Sequence, residues 1–194
     1  MKGPTELKTA GNKRREKPFF SLVLALCIFH CPFASSSSWA GIVVQACFSP
    51  KGNCSNHIIR ELQGAEREIL VAVYAFTSRE IAWALVQAKQ RGINVQVLLD
   101  QEFDRESKYS KGSFLKKQGL KVRRTSGLSK GDKKKGLMHQ KFAVIDSRIV
   151  LTGSYNWTAS AEKFNHENLL LFRDAGPLAE EYRTQFFRLW EKGQ

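Results

Sequence analysis

From Ile42 to Trp190 the chain alternates short apolar runs with amphipathic stretches, a rhythm that predicts strands and helices in turn. Ile42–Phe48 favours a strand and ends at Ser49-Pro50. Ser55 can cap a helix reaching about Gly64, with Ile58, Ile59 and Leu62 on one face. Glu68–Phe76 contains Ile69-Leu70-Val71-Ala72-Val73-Tyr74, the continuous apolar run of a strand buried on both faces. Thr77 and Glu80 form a capping box that opens a helix to Arg91, stopped by Gly92. Val95–Leu99 is the next buried strand, Ser113–Gln118 a short helix and Val122–Arg124 a short strand. Phe142–Ile145 and Ile149–Leu151 read as two strands joined by a tight turn, close enough to form an antiparallel hairpin. Thr158–Lys163 is a helical turn or two, Leu169–Phe172 a final strand and Leu178–Trp190 an amphipathic terminal helix.

Strands alternating with helices predict an α/β fold: a mostly parallel mixed sheet sandwiched between helices, in one domain over residues 41–194. There is no internal repeat. The polar breaks Gln101–Ser113 and Thr125–Met138 read as long loops, which in a compact domain are usually functional.

Residues 1–40 follow a different pattern. Lys13, Arg14, Arg15 and Lys17 precede an apolar run from Phe19 to Phe29, and small residues follow at 34–38. That order is a secretory signal peptide, and Ser38-Trp39-Ala40 places cleavage after Ala40. The apolar run is shorter than the roughly 20 residues that span a bilayer. The expected location is periplasmic or secreted, with no membrane span in the mature chain; an uncleaved leader anchoring the protein to a membrane is the alternative.

Export changes how the cysteines are read. Cys27 and Cys31 leave with the leader, while Cys47 and Cys54 remain, seven apart in a Pro/Gly/Asn-containing loop. In an oxidising compartment such a pair is a disulfide candidate, with two free thiols as the other reading. Two cysteines without a histidine pair supply only half a zinc site, so no metal is expected.

The net charge is +13. Taking the six basic and two acidic residues of positions 1–40 from the totals of 31 and 18 leaves 25 against 16, a net +9. The body of the protein is therefore basic in its own right, which asks for a polyanion or an anionic surface. The span Lys116–Lys135 concentrates nine Lys/Arg against the single acid Asp132. Lys130, Lys133, Lys134, Lys135, Arg123 and Arg124 are its candidate phosphate contacts, running toward His139.

His139 and Lys141 stand two apart in an extended segment, so both side chains project to one face. An imidazole works near neutral pH as nucleophile or acid, and an ammonium neutralises a non-bridging phosphate oxygen. Asn156 can donate an amide hydrogen to the same group, and Gly153 lets the backbone approach closely. Glu167 opens the last strand, where a carboxylate can orient an imidazole. Asp146 begins a turn and reads as more structural than catalytic, because an anion beside the phosphate would repel it.

These residues together, His139, Lys141, Asp146, Gly153, Ser154 and Asn156, match without departure the H-x-K-x(4)-D and G-S-x-N signature of the phospholipase D superfamily. The chain resembles that family over roughly residues 41–192, and is most similar to its small exported bacterial nucleases with a single motif, which also end in N-x-E-N, here Asn165-His166-Glu167-Asn168. The resemblance implies a cofactor-free, metal-independent reaction through a phosphohistidine. In it His139 is nucleophile or acid, Lys141 and Asn156 bind phosphate, and Ser154 and Glu167 support the site.

Only one H-x-K pair exists, since His30, His57 and His166 lack a lysine two positions on. In-line displacement needs a nucleophile and an acid on opposite sides of phosphorus. One histidine cannot be both at once, so a homodimer with the site on its two-fold axis is expected. The substrate class stays open. A nuclease acting on DNA, with RNA as a second substrate, is the leading reading. A membrane-associated lipid phosphodiesterase or phosphatidyltransferase is the alternative, and a non-catalytic nucleic-acid-binding protein a third. Tyr109 and Phe114 are candidates for stacking on bases of a single strand, and equally for burial.

Overall fold

The computed structural model describes residues 41–130 and 134–194, with backbone alone at 129–130 and 134–135. The leader and its cleavage point, Cys27 and Cys31, and Lys133 lie outside the described residues, as do the side chains of Lys130, Lys134 and Lys135.

The elements run β1 (Val43–Ser49), α1 (Cys54–Gln63), β2 (Glu68–Val73), α2 (Arg79–Gln90), β3 (Asn94–Asp100), α3 (Gln101–Glu106), α4 (Gly112–Lys117), β4 (Lys121–Thr125), β5 (Ser129–Lys130), β6 (Lys134–Lys135), β7 (Lys141–Ile145), β8 (Ile149–Gly153), α5 (Ala159–Lys163), β9 (Glu167–Arg173) and α6 (Gly176–Trp190). One seven-stranded sheet has the order β1-β9-β8-β7-β2-β3-β4, while β5 and β6 pair as a separate small hairpin. The sheet is mixed and flanked by helices. Its parallel part is confined to β2, β3 and β4, and the other four pairings are antiparallel. Antiparallel pairing thus goes further than alternation of strands and helices implied, because β7, β8, β9 and β1 follow one another across the sheet without crossover helices between them.

Alternation along the central strands builds two cores. Ile69, Val71 and Val73 of β2 face one way and meet Ile58 and Leu62 of α1, Ile81 and Leu85 of α2 and Leu115 of α4. Leu70 and Ala72 face the other way, toward Phe142, Val150 and the Phe186 side of α6. β2 and β3 are buried almost throughout, as a continuous apolar run requires.

The caps refine the sequence reading. Ser78, rather than Thr77, caps α2, its Oγ accepting from the Ile81 amide at 3.3 Å. Asn53 occupies the cap position of α1, and Ser55 lies inside its first turn. Thr158 caps α5 by accepting from the Ala161 amide at 3.0 Å. The stretch Gln101–Ser113, read as a loop, holds α3 and the start of α4. Asp100 caps α3, with Oδ1 accepting from the Phe103 amide at 2.9 Å. Cys47 and Cys54 are joined in a disulfide that ties the end of β1 to the start of α1, with Cα atoms 5.7 Å apart.

Candidate active site

The sheet register decides which motif residues can meet. Lys141 pairs with Val73 at the carboxyl end of β2, and Gly153 pairs with Leu169 near the amino end of β9. Tyr74, Asp100, His139, Lys141, Gly153–Asn156 and Glu167 therefore share one end of the sheet. Asp146 does not. It follows β7 at the opposite end, about 16 Å of extended chain from Lys141.

His139 sits just before β7, anchored on both sides. The Met138 amide donates to the buried Asp100 Oδ2 at 2.8 Å, and the Gln140 carbonyl accepts from the Tyr74 amide at 2.8 Å. The imidazole itself is exposed and lies against the Tyr74 ring, with centroids 4.8 Å apart. Lys141 Nζ stands over the same ring at 5.3 Å and donates to the His139 carbonyl at 3.0 Å. Tyr74 in turn tilts against Phe103 of α3 at 5.5 Å. One phenol thus contacts both the imidazole and the ammonium.

Electrostatics at this end favour a neutral imidazole. Burial of its surroundings and the Lys141 charge push the His139 pKa down, with the Asp100 carboxylate opposing them. Burial also lowers the Lys141 ammonium, while Glu167 holds it up. The Tyr74 phenol is raised by burial and by Asp100 and Glu102.

The G-S-x-N segment leaves β8 in a conformation that needs its glycine. Gly153 has φ +146°, and a Cβ there would collide with the Asn168 carbonyl. Ser154 Oγ accepts from the Asn168 amide at 3.0 Å, locking the turn to β9. Tyr155 is buried, and its hydroxyl donates to Glu162 at 2.5 Å; the same carboxylate accepts from the Ser55 amide at 2.9 Å. Burial and Glu162 both raise that phenol. The Asn156 Oδ1 position is buried with no partner among the described residues. A half-turn of the amide about χ2 exchanges oxygen for nitrogen, so this position can present a donor to an anion.

Glu167 lies at the same end, but no hydrogen bond joins it to His139 among the described residues. Its Oε1 accepts from Asn165 Nδ2 at 3.2 Å, and its charge acts on Lys141. The carboxylate that acts on the imidazole of its own chain is instead Asp100. Asp100 and Tyr74 are the site residues that sequence reasoning missed; a charged residue closing a buried apolar strand was the available signal for Asp100.

Asp146 is occupied with the fold. Its carboxylate accepts from the amides of Glu66, Arg67 and Glu68 at 2.8–2.9 Å, and its carbonyl accepts from the Arg67 guanidinium at 3.0 Å. Burial would raise its pKa, but the Glu68, Glu66 and Arg67 amides and the Arg67 charge together lower it. Arg123 and Arg124, expected as phosphate contacts, also make bonds within the fold. Arg124 Nε bonds to the buried Asp104 at 2.5 Å, and Arg123 donates to the Trp190 carbonyl at 2.9 Å with its guanidinium over that ring. Both guanidiniums hold β4 to its neighbouring helices. Among the described residues, no three His, Cys, Asp or Glu side chains converge to hold a metal ion.

His139, Lys141 and Asn156, from the H-x-K and G-S-x-N segments, thus share one end of the sheet. A family model described as cardiolipin synthase, PLD-like domain, matches residues 58–190, and the chain belongs to the phospholipase D superfamily. It is 35% identical over 144 residues to a phospholipase D of Rickettsia prowazekii, covering 74% of this chain and 66% of that one. It is 33% identical over 159 residues to a mitochondrial cardiolipin hydrolase of Xenopus laevis, covering 77% of this chain and 71% of the relative. Among solved structures, NucT from Helicobacter pylori superposes with a TM-score of 0.74 at 30% identity, covering 79% of this chain and 98% of that chain. NUC from Salmonella typhimurium, a phospholipase D family member, gives 0.71 at 27% identity, covering 79% and 97%. The chain spans just under two thirds of the length of the Rickettsia relatives, 65–66%.

Proposed function

We propose that this protein is an exported phosphodiesterase that cleaves nucleic acid, DNA foremost and RNA second, without a metal and as a homodimer. The observation that carries the reading is the convergence of His139, Lys141 and the Asn156 amide, whose Oδ1 has no partner among the described residues, at one sheet end of a strongly basic chain. The disulfide supports an oxidising compartment and hence export. No helix among the described residues is long and apolar enough to cross a membrane.

In the proposed reaction Lys141 and Asn156 hold the non-bridging oxygens. A neutral His139 nitrogen bonds to phosphorus as the bond to the leaving oxygen breaks. That oxygen takes its proton from the imidazolium of His139 in a second copy of the chain. Water then attacks the phosphohistidine, gives its proton to the now neutral second imidazole and releases the first. Burial and the Lys141 charge, which lower the His139 pKa, favour the neutral nucleophile. Lys130, Lys133, Lys134 and Lys135 remain the proposed contacts to the flanking backbone.

The relatives named phospholipase D and cardiolipin hydrolase favour a lipid phosphodiester as the second reading. One assay separates the two. The purified full chain and His139→Ala are given DNA, RNA, cardiolipin and phosphatidylcholine in EDTA. Cleavage of nucleic acid by the wild type alone is expected. Turnover confined to lipid would replace this reading, and loss of wild-type cleavage in EDTA would overturn the metal-free mechanism. Sedimentation of active protein as a monomer at micromolar concentration would overturn the dimer.

A further inference from the structure

The segment from Tyr74 to Ser78 leaves the sheet between two sites. On one side Tyr74 touches His139. On the other, a cavity of 280 Å³ is lined by Arg79, Trp83, Lys111 and Phe114. It opens at the same end of the sheet: the Lys111 amide donates to the Phe76 carbonyl at 3.0 Å, and the Thr77 and Ser78 amides donate to Trp157, next to Asn156. Four residues separate Tyr74 from Arg79, so five Cα steps keep their backbones no more than about 18 Å apart.

The cavity's lining sets two aromatic rings beside two cations. Trp83 is 42% exposed although it stands on a helix whose other apolar residues are buried. It meets Phe114 edge to face, with centroids 5.3 Å apart, and the pair stays partly open to solvent at Trp83. Two cations flank the rings. Neither Arg79 nor Lys111 makes a salt bridge among the described residues, and Lys111 Nζ is satisfied only by the Tyr109 carbonyl at 3.1 Å. Packing alone does not call for a part-exposed indole between two cations, of which Arg79 acts only at longer range on the neighbouring Glu80. A stacked base with a phosphate on either side supplies what is missing, since every base has a π-face and every linkage a negative charge.

We infer that Arg79, Trp83, Lys111 and Phe114 form a second nucleic-acid subsite, which stacks a base of a single-stranded segment a few nucleotides from the scissile phosphate. The inference rests on the nuclease reading above and narrows it: the flanking strand is unpaired, because a base inside a duplex offers no face to Trp83. The cations contribute affinity without sequence readout, so little base specificity follows.

The test separates the subsite from the chemistry. Full-length wild type, Trp83→Ala, Trp83→Phe and the double variant R79Q/K111Q are assayed for hydrolysis of bis(p-nitrophenyl) phosphate, which is too small to span both sites. The same four, each carrying His139→Ala to prevent cleavage, are titrated with labelled single-stranded and duplex oligonucleotides over a salt series. Small-ester hydrolysis should be unchanged in all four, which also reports correct folding. Single-strand affinity should fall roughly tenfold or more in Trp83→Ala and much less in Trp83→Phe. R79Q/K111Q should flatten the salt dependence by roughly one to two contacts. Unchanged single-strand affinity in both Trp83→Ala and R79Q/K111Q overturns the subsite, as does an equal loss for duplex and single strand. Variants that keep oligonucleotide affinity but lose binding to anionic phosphatidylglycerol vesicles would assign the patch to a membrane and overturn it as well. If the wild type hydrolyses no small ester, the catalytic reading itself fails, separately from the subsite.

Discussion

The two ends of β7 carry the two halves of one sequence motif and treat them in opposite ways. At the Asp146 end, a buried carboxylate receives three backbone amides, and every strong polar group it meets is satisfied. At the His139 end, an exposed imidazole rests on a phenol, and among the described residues an ammonium bonds only a carbonyl and an amide position has no partner. Satisfied polar groups stabilise a fold, while unsatisfied ones are available to a ligand. The interval between Lys141 and Asp146 is then no catalytic distance. It is the length of β7, with the hairpin turn that Asp146 and Ser147 make at φ 52° and 56°.

The sharpest break of that comparison is to exchange the losses at the two ends. His139→Ala should cut phosphodiester cleavage by three orders of magnitude or more, equivalent to about 4 kcal/mol of transition-state stabilisation, with the melting temperature unchanged. Turnover measured beside calorimetry decides it; a variant that melts early would make the His139 end structural too.

Asp146→Ala should do the reverse. Three amides lose a charged acceptor inside the fold, at a cost of about 3 kcal/mol or more, while turnover per folded molecule stays close to wild type. Because the Asp146 pKa is lowered in the folded chain, its contribution is present above the ordinary carboxylate range and lost as pH falls through the lowered value. Denaturation curves at neutral and acid pH check this: the gap between wild type and variant should narrow on acidification. A stable but inactive variant would place Asp146 in the chemistry after all.

Much of this division was legible in the sequence. Periodicity located most of the strands and helices, because alternating and continuous apolar runs report burial directly. The H-x-K and G-S-x-N segments named side chains that the fold brings to one sheet end. The antiparallel half of the sheet was less legible, since apart from the β7–β8 hairpin strand order depends on contacts far apart in sequence. α3 was hidden because only Phe103 marks its apolar face, and its stability comes from the Asp100 cap. Arg123 and Arg124 show the limit of a charge count: a Lys/Arg run does not tell which guanidinium also bonds Asp104 or the Trp190 carbonyl. Tyr74 reads as one more aromatic in a strand, and only the register brings it beside His139.

The disulfide offers a milder perturbation, and one confined to the open end. Cys47 pairs with Leu169 in the sheet, directly across β9 from Gly153, so the staple lies close behind the G-S-x-N turn. Closing this loop should contribute about 2.5 kcal/mol on the chain-entropy model. Reduction, or the Cys47→Ser, Cys54→Ser pair, should lower stability by that amount with little change in turnover of a small ester. A much larger fall in turnover than in stability would mean that the staple positions Asn156.

The smallest expected effects are the most discriminating, because they have a sign. Asp100 raises the His139 pKa, and Lys141 lowers it. If His139 must be neutral to attack, the acid limb of the pH–rate profile follows that pKa. Asp100→Asn removes a stabilising anion, so the limb should move to lower pH; Lys141→Gln removes a repelling cation, so it should move to higher pH. Each variant also slows the reaction for its own reason. In Asp100→Asn the remaining carbonyl oxygen can still accept from the Phe103 amide, but the new NH2 cannot accept from Met138, which loosens the chain entering His139. In Lys141→Gln the neutral side chain no longer offsets the phosphate charge. Loosening alone would change rates without opposed movements of the limb. The two proposed histidines titrate as a coupled pair, so the profile reports apparent values for the pair rather than for one ring. The direction survives that coupling, because each substitution acts on both copies at once. Shifts of the same sign in the two variants would mean that the open end of β7 tunes its imidazole by geometry, as the closed end holds its carboxylate, and not by charge.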